Sequence, residues 1–203
     1  MPLFYLVRHG ETAWNRHGNR YCGRTNIPLT ETGEKQAAHL AATLEEIKFD
    51  RVIVSPFQRA QRTALPITKR FGLEMETDQR LSEIDFGEWE GLTRWEIEQK
   101  FPKQWKRWLQ DPTRIKAGGC GESASDVFER MKSFFVEHSS GNHECMFVVS
   151  HNTAIRFFLA GTLGMPFLHY RKIAINNASV CVLDMKSATD IKWQVVNGCA
   201  SKL

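Results

Sequence analysis

Leu3-Phe4-Tyr5-Leu6-Val7 runs without a polar break into Arg8-His9-Gly10. A short unbroken apolar run is the pattern of a strand buried on both faces. Its abrupt end in a cation, an imidazole and a glycine puts reactive groups where that strand stops. Two runs of the same type follow. Val52-Ile53-Val54 leads through Ser55-Pro56 to Arg59, and Cys145-Met146-Phe147-Val148-Val149 leads into Ser150-His151-Asn152.

Between these runs the spacing becomes helical. After a start at Thr30 to Glu34, the residues Ala37, Leu40, Ala41, Leu44 and Ile47 recur at intervals of three and four. The period returns at Ala60, Ala64, Ile67 and Phe71, where Pro66 is expected to kink or break the element. Ser123 to His138 reads as a helix capped by Ser123 or Ser125, with Val127, Met131, Phe134 and Phe135 inward. Another spans about Thr153 to Leu163 and stops at Gly164-Met165-Pro166. Ser179 to Met185 and Ile191 to Val196 read as closing strands. Buried strands alternating with helices predict an α/β fold, a three-layer sandwich with a mostly parallel central sheet and helices on both faces. The stretch 86–121 breaks the rhythm, with Trp89, Trp95, Trp105 and Trp108, many charges, and Gly118-Gly119 near its end. It is expected to be an insertion of short helices and loop lying over the sheet as a lid, most of its tryptophans serving as packing. No repeat, low-complexity tract or linker divides the chain, so residues 1–203 are read as a single domain.

Composition removes several alternatives. With 203 residues, 42% hydrophobic and 25% charged, the chain can bury a core without disulfides or metals. A net charge of +4 is too mild to indicate nucleic acid. No apolar run approaches the roughly 20 residues of a membrane span, and the apolar part of the N-terminus is too short for a signal peptide. Cys22, Cys120, Cys145, Cys181 and Cys199 are scattered, with no C-x-x-C pair. That argues against a zinc cluster or disulfide framework and suits the reducing cytoplasm. Ser201-Lys202-Leu203 cuts across this, being the tripeptide read by the peroxisomal import receptor, and is coincidence in a bacterium. No apolar stripe is left over to dictate self-association, so a homodimer is compatible with the sequence but not required by it.

In open α/β sheets ligands collect at the carboxyl ends of strands. Arg8, His9, Arg59 and His151 all follow such ends, and Arg80-Leu81-Ser82-Glu83 delivers an acid after another short extended piece. Singly, a histidine is more often structural and an arginine usually a solvated charge; their joint placement is what points to chemistry. Two guanidinium forks suit phosphate oxygens. A neutral imidazole can accept a phosphoryl group, and a second histidine, if protonated, adds charge where it builds during transfer. A carboxylic acid of raised pKa can protonate a departing alkoxide and then act as base toward water. There is no serine or cysteine elbow, no H-E-x-x-H and no G-x-x-x-x-G-K-[ST] loop. The set fits phosphoryl transfer through a histidine, with no metal or cofactor and a small phosphorylated metabolite as partner.

Leu6-Val7-Arg8-His9-Gly10-Glu11-Thr12 with Trp14-Asn15 resembles the signature of the histidine phosphatase superfamily, phosphoglycerate-mutase-like branch. Four more blocks follow in order. They are Pro28-Leu29-Thr30-Glu31-Thr32-Gly33, Ser55-Pro56-Phe57-Gln58-Arg59-Ala60, Leu81-Ser82-Glu83-Ile84-Asp85-Phe86-Gly87 and Val148-Val149-Ser150-His151. The resemblance implies that His9 is the phosphorylated nucleophile and Glu83 the proton donor. It implies that Arg8, Arg59 and His151 grip the phosphoryl group, and that Asn15 adds a hydrogen bond. Cys22 and Gly23 fall near the bound substrate of relatives. Asn152 stands where glycine is common, Arg62 where glutamine is usual, and Asn26 where aspartate is usual, which bears on substrate preference.

Within that family the compact length is similar to the broad-specificity and α-ribazole phosphatases. A 2,3-bisphosphoglycerate-dependent mutase carries Arg-His-Tyr just after the acid plus a longer insertion, whereas Glu83 is followed by Ile84-Asp85-Phe86. A phosphatase is therefore expected before a mutase. An inactive scaffold is a remote alternative, since His9, Glu83 and His151 are all intact. The loop Arg16-His17-Gly18-Asn19-Arg20-Tyr21-Cys22-Gly23-Arg24 is strongly basic. It is either a solvated surface loop or, if it faces the pocket, a sign that the substrate carries a second anionic group.

Overall fold

Six strands build the central sheet: β1 (Leu3–Arg8), β2 (Arg51–Val54), β3 (Met75–Thr77), β4 (Cys145–Ser150), β5 (Val180–Met185) and β6 (Ile191–Gly198). Their order is β3-β2-β4-β1-β5-β6. The first four run parallel, and β5 and β6 close the sheet antiparallel. The computed structural model describes residues 2–139 and 145–199, so Ser201-Lys202-Leu203 lies outside the described residues. Among the described residues no helix is long and apolar enough to cross a membrane.

Strand side chains alternate between faces with period two, and both faces are apolar here. Phe4 and Leu6 of β1, Ile53 of β2 and Met146 and Val148 of β4 enter one core. Val7, Val52, Val54, Phe147 and Val149 enter the other. Helices α2 (Glu31–Thr43) and α3 (Gln58–Phe71) cover the second face, while α6 (Ala124–His138) and α7 (Asn152–Thr162) cover the first. This is the expected three-layer sandwich. Aromatic rings knit the first layer: Phe135 stacks on Phe158 at 4.4 Å and meets Phe4 edge-on at 5.0 Å. Full burial of each such ring is worth about 1.5–3 kcal/mol.

The caps follow the sequence. Thr30 caps α2, and Ser123, not Ser125, caps α6 in a reciprocal box with Asp126. Pro66 does not break α3, which runs continuously to Gly72 in the left-handed region. Its buried stripe of Ala60, Ala64 and Ile67 holds the helix to the sheet, and Pro66 lies off that stripe, half-buried. Two short elements lack an apolar pattern: β3, and α1 (Ala13–Arg16), a single turn held by a Thr12–Asn15 capping box.

The stretch 86–121 folds as a turn at Gly87–Trp89, then α4 (Arg94–Lys100) and α5 (Pro102–Gln110). Trp89, Trp105 and Trp108 are buried and meet edge-on at 5.4 and 5.8 Å, whereas Trp95 is 68% exposed. The Trp108 indole donates to the Tyr170 hydroxyl and packs on Phe157 of α7. The segment is thus joined to the first core.

One close approach fixes the loop after β1. A Cβ on Gly33, in the first turn of α2, would overlap the carbonyl oxygen of Glu11, and one on Gly10 would overlap the Gly33 carbonyl. Because rigid backbone must yield, Gly33→Ala is expected to cost about 1–3 kcal/mol. Exposed Lys35→Ala is expected to stay within about 0.5 kcal/mol. Urea midpoints compare the two; equal midpoints would show that loop and helix are not in this contact.

Candidate active site

His9 leaves the end of β1 beside the end of β4. Arg8 is in register with Ser150, and the His9 amide donates to the Ser150 carbonyl at 3.1 Å. The His9 ring is held by its own loop, Nδ1 lying 2.7 Å from the Gly10 carbonyl. A carbonyl only accepts, so Nδ1 carries the proton and Nε2 keeps its lone pair. The C-terminal part of the chain fixes the backbone here. Ala178 N–H donates to the Arg8 and His9 carbonyls, and Asn177 Nδ2 donates to the His9 carbonyl. Arg8 Nη1 donates to the Ile175 carbonyl at 2.7 Å, while its buried Nε has no partner.

Glu83 is buried against the start of α7. Its carboxylate accepts from the amides of Ile84, Thr153 and Ala154 at 2.9–3.0 Å. Burial raises its pKa, and those three donors and the charge of Arg59 pull the other way without prevailing. The loop carrying it is clamped by Arg130, which donates to the carbonyls of Arg80 and Ser82, each at 2.7 Å, and pairs with Glu122. Glu122 in turn accepts from the Asp85 amide.

His151 caps α7 with its ring centroid 5.1 Å from that of His9. Both of its nitrogens are engaged: Nδ1 accepts from Arg59 Nε at 3.2 Å, and Nε2 donates to Ser55 Oγ at 2.7 Å. Arg59 is fully buried, and its Nη atoms donate to the carbonyls of Gly23 and Thr25, each at 2.8 Å. Arg59 and His151 therefore stand behind His9 with their hydrogen bonds turned into the protein. Burial and the Arg59 charge hold both imidazoles well below the ordinary histidine pKa.

Arg8, His9 and Glu83 line one cleft, with Asn15, Cys22 and Asn152. The Asn15 Oδ1 accepts from Thr12 and Asn177. Burial pushes the Cys22 thiol up to about 12, so it is no nucleophile. Gly23 lies off the cleft, its amide on the Glu90 carboxylate and its Cβ position filled by the Ile84 carbonyl. Of the three departures from the family pattern only Asn152 reaches the cleft. Asn26 accepts from the Gln58 amide, and Arg62 pairs with Glu34 on the surface.

The basic loop divides. Its residues Asn19 to Cys22 line the cleft, yet Arg16, Arg20 and Arg24 are paired with Glu11, Glu96 and Glu122. The far wall is made by residues the sequence did not single out: Arg156, Tyr170 and Arg171. Arg156 is four residues after Asn152, one helical turn along the same face of α7, a spacing that could have revealed it. Arg171 sits in a turn at Phe167–Lys172, where nothing local marks it. Among the described residues no group of three or more His, Cys, Asp and Glu side chains is placed to hold a metal.

Residues 4–197 match the model of the histidine phosphatase superfamily (branch 1). Phosphoserine phosphatase 1 of Hydrogenobacter thermophilus is 34% identical over 192 residues, covering 94% of this chain and 90% of that protein. The probable phosphoglycerate mutase GpmB of Escherichia fergusonii is 32% identical, over 93% of this chain and 87% of that one. A mycobacterial glucosyl-3-phosphoglycerate phosphatase, solved with VO3, superposes with a TM-score of 0.84 at 28% identity, covering 97% of this chain and 98% of that one.

The two depressed imidazoles have a pH signature. Below about pH 6.5 the unfolded chain binds protons at these positions that the native chain does not, so stability held above that pH falls as the medium is acidified. NMR titration should find His9 and His151 still neutral well below pH 6.5. His9→Asn should make the drop in urea midpoint between about pH 7 and 5.5 shallower. Titration of either ring at or above its ordinary value would contradict the buried, Arg59-flanked site.

Proposed function

The chain belongs to the histidine phosphatase superfamily, and we propose that it is a phosphatase hydrolysing small phosphomonoesters through a phosphohistidine on His9, without a metal. The carrying observation is the tautomer of His9: the Gly10 carbonyl holds the proton on Nδ1, which leaves the lone pair on Nε2 of a ring lining a cleft shared with Glu83. The imidazole is neutral, hence nucleophilic, across the ordinary working range.

Nε2 attacks phosphorus as the ester P–O bond breaks, and the leaving oxygen takes the proton of the Glu83 carboxyl. Water then attacks the phosphohistidine, Glu83 carboxylate receives the water's proton, and His9 and inorganic phosphate are released. The raised pKa of Glu83 suits a group that must hold a proton at the start of this cycle and regain it at the end. The orphan Nε of Arg8 and the Nδ2 of Asn15 bind phosphoryl oxygens. Arg59 adds positive charge near His9 and is hydrogen-bonded to His151, whose ring lies beside that of His9, and both are assigned to the phosphoryl group as the family pattern implies. Together these cations supply the charge stabilisation a metal gives elsewhere.

His9→Ala is expected to abolish turnover with the fold intact, since loss of a nucleophile costs several decades of rate. Rapid quenching with labelled substrate should trap an acid-labile adduct on His9. Full activity in EDTA is expected, and loss restored by magnesium or zinc would overturn the metal-free reading. The mutase relative motivates one further arm. Conversion of 3- to 2-phosphoglycerate that depends on 2,3-bisphosphoglycerate and outpaces hydrolysis would replace phosphatase by mutase.

Glu83 has its own test. An alkoxide leaves poorly and needs a proton, whereas p-nitrophenolate leaves unaided. Glu83→Gln should therefore slow phosphorylation by alkyl phosphates roughly 10²–10⁴-fold and by p-nitrophenyl phosphate far less, as read from pre-steady-state bursts. Equal slowing on both would pass the proton-donor role to Asp85.

A further inference from the structure

We propose that Arg156 and Arg171 form a second anion subsite on the far wall of the cleft, so that the substrate carries a carboxylate or a second phosphate besides its phosphomonoester. The proposal rests on the phosphatase reading and names the substrate class within it.

Like Arg8 and Arg59, which the phosphatase reading assigns to the phosphoryl group, these two guanidinium groups have no acidic partner among the described residues, unlike the remaining arginines around the cleft. Arg16, Arg20, Arg24 and Arg130 each have a glutamate partner. Among the described residues, neither Arg156 nor Arg171 forms an ion pair, and the Nε of each is buried with no acceptor. Arg156 makes no hydrogen bond among the described residues. Arg171 is held by the Tyr21 hydroxyl at 2.6 Å and lies over the rings of Trp105, at 4.7 Å, and Tyr170, at 5.2 Å. One guanidinium is thus fixed by stacking and the other is left free to fork onto a ligand, both lining the cleft that holds His9 and Glu83. Unpaired, partly buried cations side by side are electrostatically costly. An anion in the cleft relieves that cost, and a planar carboxylate or phosphoryl group satisfies both forks. The same pair rejects a substrate with an uncharged tail, because the buried donors would then lose water and gain nothing.

The test compares kcat/KM of wild type, Arg156→Met and Arg156→Lys on five substrates. Phosphoserine and 3-phosphoglycerate carry a carboxylate, fructose 1,6-bisphosphate a second phosphate, and glycerol 3-phosphate and p-nitrophenyl phosphate neither. Wild type should prefer substrates with the second anion, and whichever of the two anion classes leads identifies its source. A charged hydrogen bond is worth about 1.5–3 kcal/mol, so Arg156→Met should lose roughly 10–100-fold on the preferred class. It should stay within about threefold on the uncharged pair, which also reports an intact fold, and Arg156→Lys should recover part of the loss. Absence of preference in wild type, or equal loss on all five substrates, overturns the subsite. If wild type turns over none of the five, the phosphatase reading fails instead. The subsite is then judged by thermal shift: protection by 3-phosphoglycerate over glycerol 3-phosphate, lost in Arg156→Met, upholds it, and equal protection overturns it.

Discussion

The parallel pairing of β1 with β4 is the constraint on which the site depends. It sets Arg8 opposite Ser150 and so lets two loops distant in sequence leave the sheet side by side, with the His9 and His151 rings 5.1 Å apart. A slip of one residue in this register would move every core side chain of β1 to the other face. That would exchange Phe4 and Leu6 with Val7 between two cores packed with different shapes. The hydrophobic layers therefore hold the spacing of the two imidazoles, and the first of them reaches the cleft itself through Phe86 and Tyr170.

Electrostatically the cleft is rich in positive charge. Arg8, Arg59 and Arg156 lie close enough to feel the buried carboxylate of Glu83, and both histidines are held neutral, chiefly by burial and then by Arg59. For His9 it is burial first, and then the charges of Arg59 and Arg8, that hold the imidazole neutral.

The sequence disclosed those parts that local pattern controls. β1, β2 and β4 are unbroken apolar runs, and their ends pointed to Arg8, His9 and His151. The capping serine and inward face of α6 were equally visible. β3 was not, because Met75-Glu76-Thr77 is a short edge strand with an exposed, charged middle. Pro66 misled, because its backbone defect falls off the buried stripe that anchors α3. Gly23 carried the family pattern but serves packing against the acid loop. The far wall escaped because it is assembled by tertiary packing, where α5, the turn holding Tyr170 and Arg171, and α7 converge. No window of sequence contains that juxtaposition.

The hold of residues 175–178 on the nucleophile has a temporal side. A ribosome-bound chain made only as far as α7 already contains His9, Glu83 and His151. Yet the carbonyls of Arg8 and His9 lack the N–H groups of Ala178 and Asn177, and the Arg8 guanidinium lacks the Ile175 carbonyl. β1 is also without its neighbour β5 at that stage. On the phosphatase reading, competence would then arrive as one late event in synthesis, when the closing hairpin docks.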